Sequence, residues 1–297
     1  MLVNALTAIR RLPMLAGLLA ATALCLGACA EQAGDAPPES GTPAAGAPAA
    51  RDAAPASESR EARTVVSDTL PYGEVGSYLV HGHFVFPSDM VEPLPAVVLI
   101  HEWWGLDDSV KAEADRLAAQ GYVVLAVDLF AGRTTTDVKT ARGYMLEALN
   151  EQSSAAENIR QAIDFVKQTA GAPAVAVMGW GLGGGLALNS AMQFADDVDA
   201  TVIFYGRVSD DPDRIAKLSG PVLGFFGGAD TTVPVDDIKA FESELGALGK
   251  DHDLVIYPNA KHGFANPRGR NYNAPLAERA WERALLFLDE AFYSGES

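Results

Sequence analysis

From residue 96 onward, apolar runs of strand length alternate with amphipathic stretches of helix length, and that alternation restricts the chain to one broad architecture. The runs at 96–102, 122–130, 174–180, 200–205, 221–227 and 253–257 are dense in Val, Ile, Leu and Phe, as strands covered on both faces must be. Between them, 109–120, 138–150, 155–169, 182–194, 235–248 and 274–292 read as helices. Repeated strand–helix–strand units specify a doubly wound α/β fold, a mainly parallel sheet with helices on both faces, because each crossover helix packs back onto the sheet. Residues 77–86 read as an edge hairpin. In such a sheet the ligand site lies at the carboxyl ends of the strands, so the residues just past each apolar run are the candidates for function.

Four segments at those ends carry chemistry. His101-Glu102-Trp103-Trp104-Gly105 follows the first long run, and Gly179-Trp180-Gly181-Leu182-Gly183-Gly184 turns from a strand into a helix. Gly227-Gly228-Ala229-Asp230 carries an acid, and Ala260-Lys261-His262-Gly263-Phe264 carries a histidine. An Asp and a His in facing loops can act as a general base and its orienting acid: the carboxylate fixes the imidazole tautomer and stabilises the imidazolium. Asp230 also suits a plain turn after a Gly pair, and Glu102 a solvated loop. His81, His83, His101 and His252 lie in or beside strands and read as packing residues.

Taken in the order turn, acid, histidine, the four segments resemble the dienelactone hydrolases over residues 78–292. The resemblance implies an α/β-hydrolase fold and hydrolysis of small esters or lactones, with no cofactor and no metal. It assigns Asp230 and His262 to the acid and base, and Gly181 to the nucleophile position. The backbone N–H of Leu182 and one near Trp103 become the oxyanion hole. Glu102 matches the family's carboxylate that pairs with the nucleophilic thiol.

The chain departs from the family at two places. Dienelactone hydrolases carry Cys, and most of their relatives Ser, where this chain has Gly181; glycine accepts the strained elbow backbone but has no attacking atom. Ser190 cannot replace it, since nine positions along a helix is roughly 13 Å at about 1.5 Å per residue. Cys25 and Cys29 both precede the domain, so no thiol is available within it. Loss of a triad nucleophile lowers turnover about a million-fold, while the remaining oxyanion hole and binding can give about 10³–10⁴ over water. The second departure concerns the arginines that hold a substrate carboxylate in the family. The one expected near 129–131 is displaced to Arg133, and 236–238 is Asp236, Asp237 and Ile238, so a carboxylate-bearing lactone is not expected. Trp104 and Arg133 are the candidate substrate contacts, although one of Trp103 and Trp104 could equally be core. Three readings stay open: a family hydrolase of small esters or lactones, impaired by Gly181; a non-catalytic protein that binds a small-molecule ligand or an envelope partner; and a His262–Asp230 base working without a covalent intermediate.

Ahead of this domain, residues 1–28 combine Arg10 and Arg11 with an apolar stretch at 15–24 and end at Leu26-Gly27-Ala28, directly before Cys29. This resembles the lipobox of bacterial lipoproteins, with cleavage before Cys29 and lipid on its sulfur; an ordinary secretory signal is the alternative. Ala30 after the cysteine fits sorting to the outer membrane, facing the periplasm. The expected partners are therefore a small-molecule ligand and, through the lipid, the membrane. Residues 29–68 read as a tether, rich in Ala, Pro and Gly and too poor in apolar residues to offset chain entropy, and the globular domain is expected from 69 to 297. With 22 Lys and Arg against 39 Asp and Glu, a formal charge of −17 excludes a nucleic-acid-binding face.

Overall fold

The computed structural model describes residues 62–150 and 152–293; the signal segment, Cys29 and most of the tether lie outside the described residues. Eight strands are described: β1 (Val65–Val75), β2 (Tyr78–Pro87), β3 (Ala96–Ile100), β4 (Val123–Val127), β5 (Val175–Trp180), β6 (Ala200–Phe204), β7 (Val222–Gly227) and β8 (His252–Tyr257). They form one sheet in the order β1-β2-β4-β3-β5-β6-β7-β8. β2 runs antiparallel to both β1 and β4, and every pairing from β4 to β8 is parallel. The helices are α1 (Asp108–Ala119), α2 (Val138–Asn150), α3 (Gln152–Gln168), α4 (Leu182–Gln193), the short α5 (Pro212–Ile215), α6 (Val235–Ala247) and α7 (Ala274–Tyr293). Together they make the α/β-hydrolase fold. Among the described residues no helix is long and apolar enough to cross a membrane.

The parallel strands are buried on both faces, and their period of two divides the core into two layers. Val98 and Ile100 of β3 point into a cluster with Ile159, Ile163 and Val166 of α3, Leu186 and Ala187 of α4, and Phe241 of α6. Val97 and Leu99 point the other way, into a cluster with Leu117 and Ala118 of α1 and Trp281, Ala284 and Leu288 of α7. Helices α1 and α5 start at aspartate caps, Asp107 and Asp211. Asp107, for example, accepts the N–H groups of Ser109 at 2.9 Å and Val110 at 3.2 Å at the head of α1.

Two expectations about the amino-terminal edge are corrected. The hairpin is not confined to 77–86: it is built from β1 and β2, joined at Gly76 and Ser77, with Gly76 at φ 63°. Because β1 begins at Val65, residues 65–68 are strand and not tether. β1 pairs on one side alone and leaves Ser67, Asp68 and Thr69 exposed, so its hydrophobic alternation is faint.

Chain order reverses beside β3, whose neighbours are β4 on one side and β5 on the other. The ligand crevice of an open α/β sheet forms at such a switch point.

Candidate active site

Consecutive strands of the parallel sheet deliver the expected residues to one place. Glu102 lies just beyond β3, Gly181 at the end of β5, Asp230 past β7 and His262 past β8. Tyr205, which was not singled out from the sequence, follows β6.

The elbow is set by close packing. A Cβ on Gly183 would fall 2.1 Å from the carbonyl oxygen of Ile100, and one on Gly179 would fall 2.4 Å from the backbone of Gly183. Neither neighbour can give way, because both are main chain, so the strand and α4 approach as closely as they do only with glycine at these positions. Gly181 sits between them at φ 53° and ψ −111°, capping α4, and its N–H donates to the Phe204 carbonyl at 2.9 Å. Space is not the restriction there. A Cβ would meet Cγ and Cδ of Glu102 and Nε2 of His262, each at 3.8 Å, which is ordinary contact. A nucleophile at this position would therefore project between the Glu102 carboxyl and the His262 ring.

His262 and Asp230 are hydrogen-bonded. With Asp230 ionised, Nδ1 of His262 donates to Oδ2 at 2.8 Å. Oδ1 of Asp230 accepts the N–H groups of Thr232 at 2.6 Å and Val233 at 3.2 Å. Burial pushes this carboxyl up, but the hydrogen bonds from His262 and the two amides outweigh it and hold it below its ordinary value. The Asp230 side chain is 1% exposed and that of His262 is 36% exposed, so the acid is shielded while Nε2 stays open to a ligand.

Glu102 is held by residues far away in the chain. The Tyr205 hydroxyl donates to Oε1 and Asn266 Nδ2 donates to Oε2, both at 2.8 Å. Burial pushes the Glu102 carboxyl above its ordinary value, and the two donors oppose that rise without cancelling it. Tyr205 is fully buried at φ 42°, unusual for a residue with a Cβ, and its ring meets His262 edge-on with centroids 5.2 Å apart. Burial and the Glu102 charge raise its hydroxyl pKa well above the usual tyrosine value, so it remains a donor. His101 is buried beneath this network. Its ring nitrogens bond the Glu102 carbonyl at 2.6 Å and the Leu129 N–H at 3.1 Å, a packing role that ties the ends of β3 and β4.

Leu182 is the first residue of α4, so its N–H has no acceptor within the helix and faces the end where the dipole favours negative charge. Trp103 and Trp104 contact each other with centroids 4.9 Å apart, and Trp104 lines a cleft together with Glu102. Arg133 is not brought to this site. Its guanidinium pairs with both oxygens of Glu147 at 2.9 and 3.0 Å and lies 4.6 Å over the Tyr144 ring, so the expectation that it contacts substrate is corrected. No cluster of three or more potential metal ligands occurs among the described residues.

Comparison with known proteins agrees with this geometry. A Saccharolobus solfataricus protein provisionally named carboxymethylenebutenolidase is 33% identical over 233 residues, spanning 66% of this chain and 89% of its own. A crystal structure provisionally identified as a dienelactone hydrolase from Klebsiella pneumoniae subsp. pneumoniae shares the fold at a TM-score of 0.70 and 20% identity, covering 77% of this chain and 100% of its own. A dienelactone hydrolase-like promiscuous phosphotriesterase from metagenomic libraries does so at a TM-score of 0.69 and 23% identity, covering 76% and 98%. Residues 80–292 match the dienelactone hydrolase family itself, and the chain belongs to that family.

Proposed function

We propose that this protein is an envelope lipoprotein that keeps the binding site of an ester or lactone hydrolase but does not form the covalent acyl-enzyme. The observation that carries the reading is Gly181: the elbow turn, the His262–Asp230 pair and the Leu182 N–H are in place, and the one position that should hold the attacking atom has no side chain. Such a site can still bind a small ester or lactone and polarise its carbonyl, with turnover limited to what backbone donors and orientation supply. Mass spectrometry after incubation with p-nitrophenyl acetate tests this. No acetyl adduct is expected on the peptide containing residue 181 of the protein as it stands, and one is expected on Gly181→Cys. An acetyl group on neither protein, with both folded, would overturn the reading.

A second reading has a specific observation in its favour, namely that Nε2 of His262 faces the space at Gly181 together with the Glu102 carboxyl. A water held between these groups could be deprotonated by His262 and attack the substrate directly. That reading expects slow hydrolysis without a burst, abolished by His262→Ala.

Anchoring is proposed through lipid on Cys29, supported by the Leu26-Gly27-Ala28-Cys29 sequence after a short apolar run. Labelled palmitate should be incorporated by the native chain and not by Cys29→Ala; equal incorporation would exclude the anchor.

A further inference from the structure

Helix α2 is attached to the domain by its inner side. Ala141 is its one buried residue, Tyr144 meets Phe130 with ring centroids 5.5 Å apart, and Glu147 accepts both guanidinium hydrogen bonds of Arg133. The outer side is apolar where a solvent-facing helix is ordinarily polar. Val138, Leu146 and Leu149 are 59%, 45% and 36% exposed. With Arg142 they recur at spacings of four and three, which places all four on one stripe, and Lys139 stands at its edge. Lys139 and Arg142 are exposed and take part in no ion pair among the described residues. The two acidic residues of 137–150 are committed, Asp137 to capping the helix through the Thr140 N–H and Glu147 to Arg133. Other exposed hydrophobic residues build no such face. Tyr78 and Leu79 are successive strand residues and point to opposite sides, and Val91 lies between Asp89 and Glu92.

Aliphatic side chains interleaved with free cations on one helix face suit a lipid interface, where the apolar groups leave water and the cationic ends reach to phosphate. A second copy of the chain would cover the leucines but bring the same two cations against them. The formal charge of −17 disfavours most of the remaining surface against phosphate, so this stripe decides which side turns to a membrane. Between Cys29 and Val65 roughly 36 residues can span at most about 120–130 Å, more than the width of a domain this size, so an anchor at Cys29 permits any face to reach the bilayer. We propose that the outer face of α2 docks on the phospholipid surface to which the chain is anchored, with Val138, Leu146 and Leu149 inserted and Lys139 and Arg142 on headgroup phosphates. The inference rests on the reading that Cys29 carries lipid. Thr135, three residues before α2, donates its N–H to the Trp104 carbonyl at 3.1 Å, so docking holds the Trp104 side of the candidate site near the membrane.

The lipidated chain reconstituted in vesicles of phosphatidylethanolamine and phosphatidylglycerol tests this. Both cysteines precede the domain, so a polarity-sensitive dye on Leu146→Cys of the lipidated chain reports that position alone. Its emission should lie to the blue of the same dye on Leu248→Cys at the end of α6, and brominated acyl chains should quench the first and not the second. Adding Lys139→Glu and Arg142→Glu should remove the shift, since each cation near an anionic surface contributes roughly fivefold to the docked population. Equal emission at the two positions, a shift that survives the charge reversals, or a shift that appears in micelles and grows with protein concentration, as pairing with a second copy would produce, would each overturn the inference. Failure of the anchor shows separately, because the chain without an added cysteine would then take the dye at Cys29. Docking is then read on Cys29→Ala with Leu146→Cys and added vesicles, where a blue shift keeps the membrane face and discards the lipid, and no shift discards both.

Discussion

The elbow and the two loops that face it answer to different constraints. At the elbow, Gly179 and Gly183 are required because main-chain atoms lie 2.4 and 2.1 Å from where their Cβ atoms would be. The turn is therefore specified by backbone packing and does not need a side chain at Gly181 to keep its shape. In the Asp230 and His262 loops the reverse holds, since what orders them is a chain of side-chain and amide hydrogen bonds ending on the imidazole. A hydrolase site thus has a backbone half and a side-chain half, and one can lose its reacting atom while the other stays intact.

The sharpest way to break that comparison is to add the same methyl group at two elbow glycines. Gly183→Ala forces a Cβ against the Ile100 carbonyl and should cost about 3 kcal/mol or more of unfolding free energy, the upper end of what overpacking a rigid site costs. Gly181→Ala meets nothing closer than 3.8 Å and suffers only the strain of a positive φ, about 1–2 kcal/mol. Urea melts of the two variants give the order directly. An equal or larger loss for Gly181→Ala would mean that the elbow depends on more than backbone contact.

Restoring the missing atom gives the next largest effect. Gly181→Cys or Gly181→Ser should raise hydrolysis of an activated aryl ester by at least about 100-fold, a fraction of the million-fold that a triad nucleophile can contribute, because strain at the elbow limits the gain. His262→Ala in the same background should remove it. A gain that survives that substitution would not be triad chemistry.

Which parts of this were legible in the sequence follows from how local each signal is. The buried parallel strands and the elbow announce themselves within a few residues, and the turn–acid–histidine order singles out Gly181, Asp230 and His262, which the fold brings together. What escaped was long-range. Glu102 is held by Tyr205 and Asn266, which lie 103 and 164 positions further along the chain, and no local pattern links them. Tyr205 looks like the last residue of an apolar strand; its positive φ and hydroxyl contact exist only once β6 lies next to β5. Arg133 misleads for the same reason, because its partner Glu147 sits on a separate helix and competes for the charge that a substrate would otherwise meet.

Tyr205→Phe probes the side-chain half more gently. Glu102 would keep Asn266 and lose one of its two donors, so the variant should be less stable by about 1.5–3 kcal/mol, the range for one hydrogen bond to a charged group. Thermal unfolding with the Gly181→Ala variant as reference checks it. No change would indicate that Oε1 finds a replacement donor and that the tyrosine is not what orients the carboxylate.

The smallest effect is a slope, and it isolates the charge on Glu102 from its packing. Burial raises this carboxyl above its ordinary value of 4.5, so over the window just above that pH the folded protein binds more protons than the unfolded chain. Stability must then fall as pH rises through the window, and level off once the folded-state carboxyl is ionised. Asp230, held below its ordinary value of 3.8, contributes the opposite slope, but at more acid pH, so the two do not overlap. Glu102→Gln keeps an oxygen for the Tyr205 hydroxyl and has no charge to place. Its stability relative to the unmodified protein should improve steadily from about pH 4.5 upward, by the sign of the linkage. The same comparison in a His262→Ala background removes a neighbour that favours the ionised carboxylate, and there the difference should grow. If the two proteins instead ran parallel from pH 4 to 8, Glu102 would be ionised at no cost. The carboxylate facing Gly181 would then be an ordinary solvated one, and the contrast between a strained backbone half and a tuned side-chain half would fail at its most buried charge.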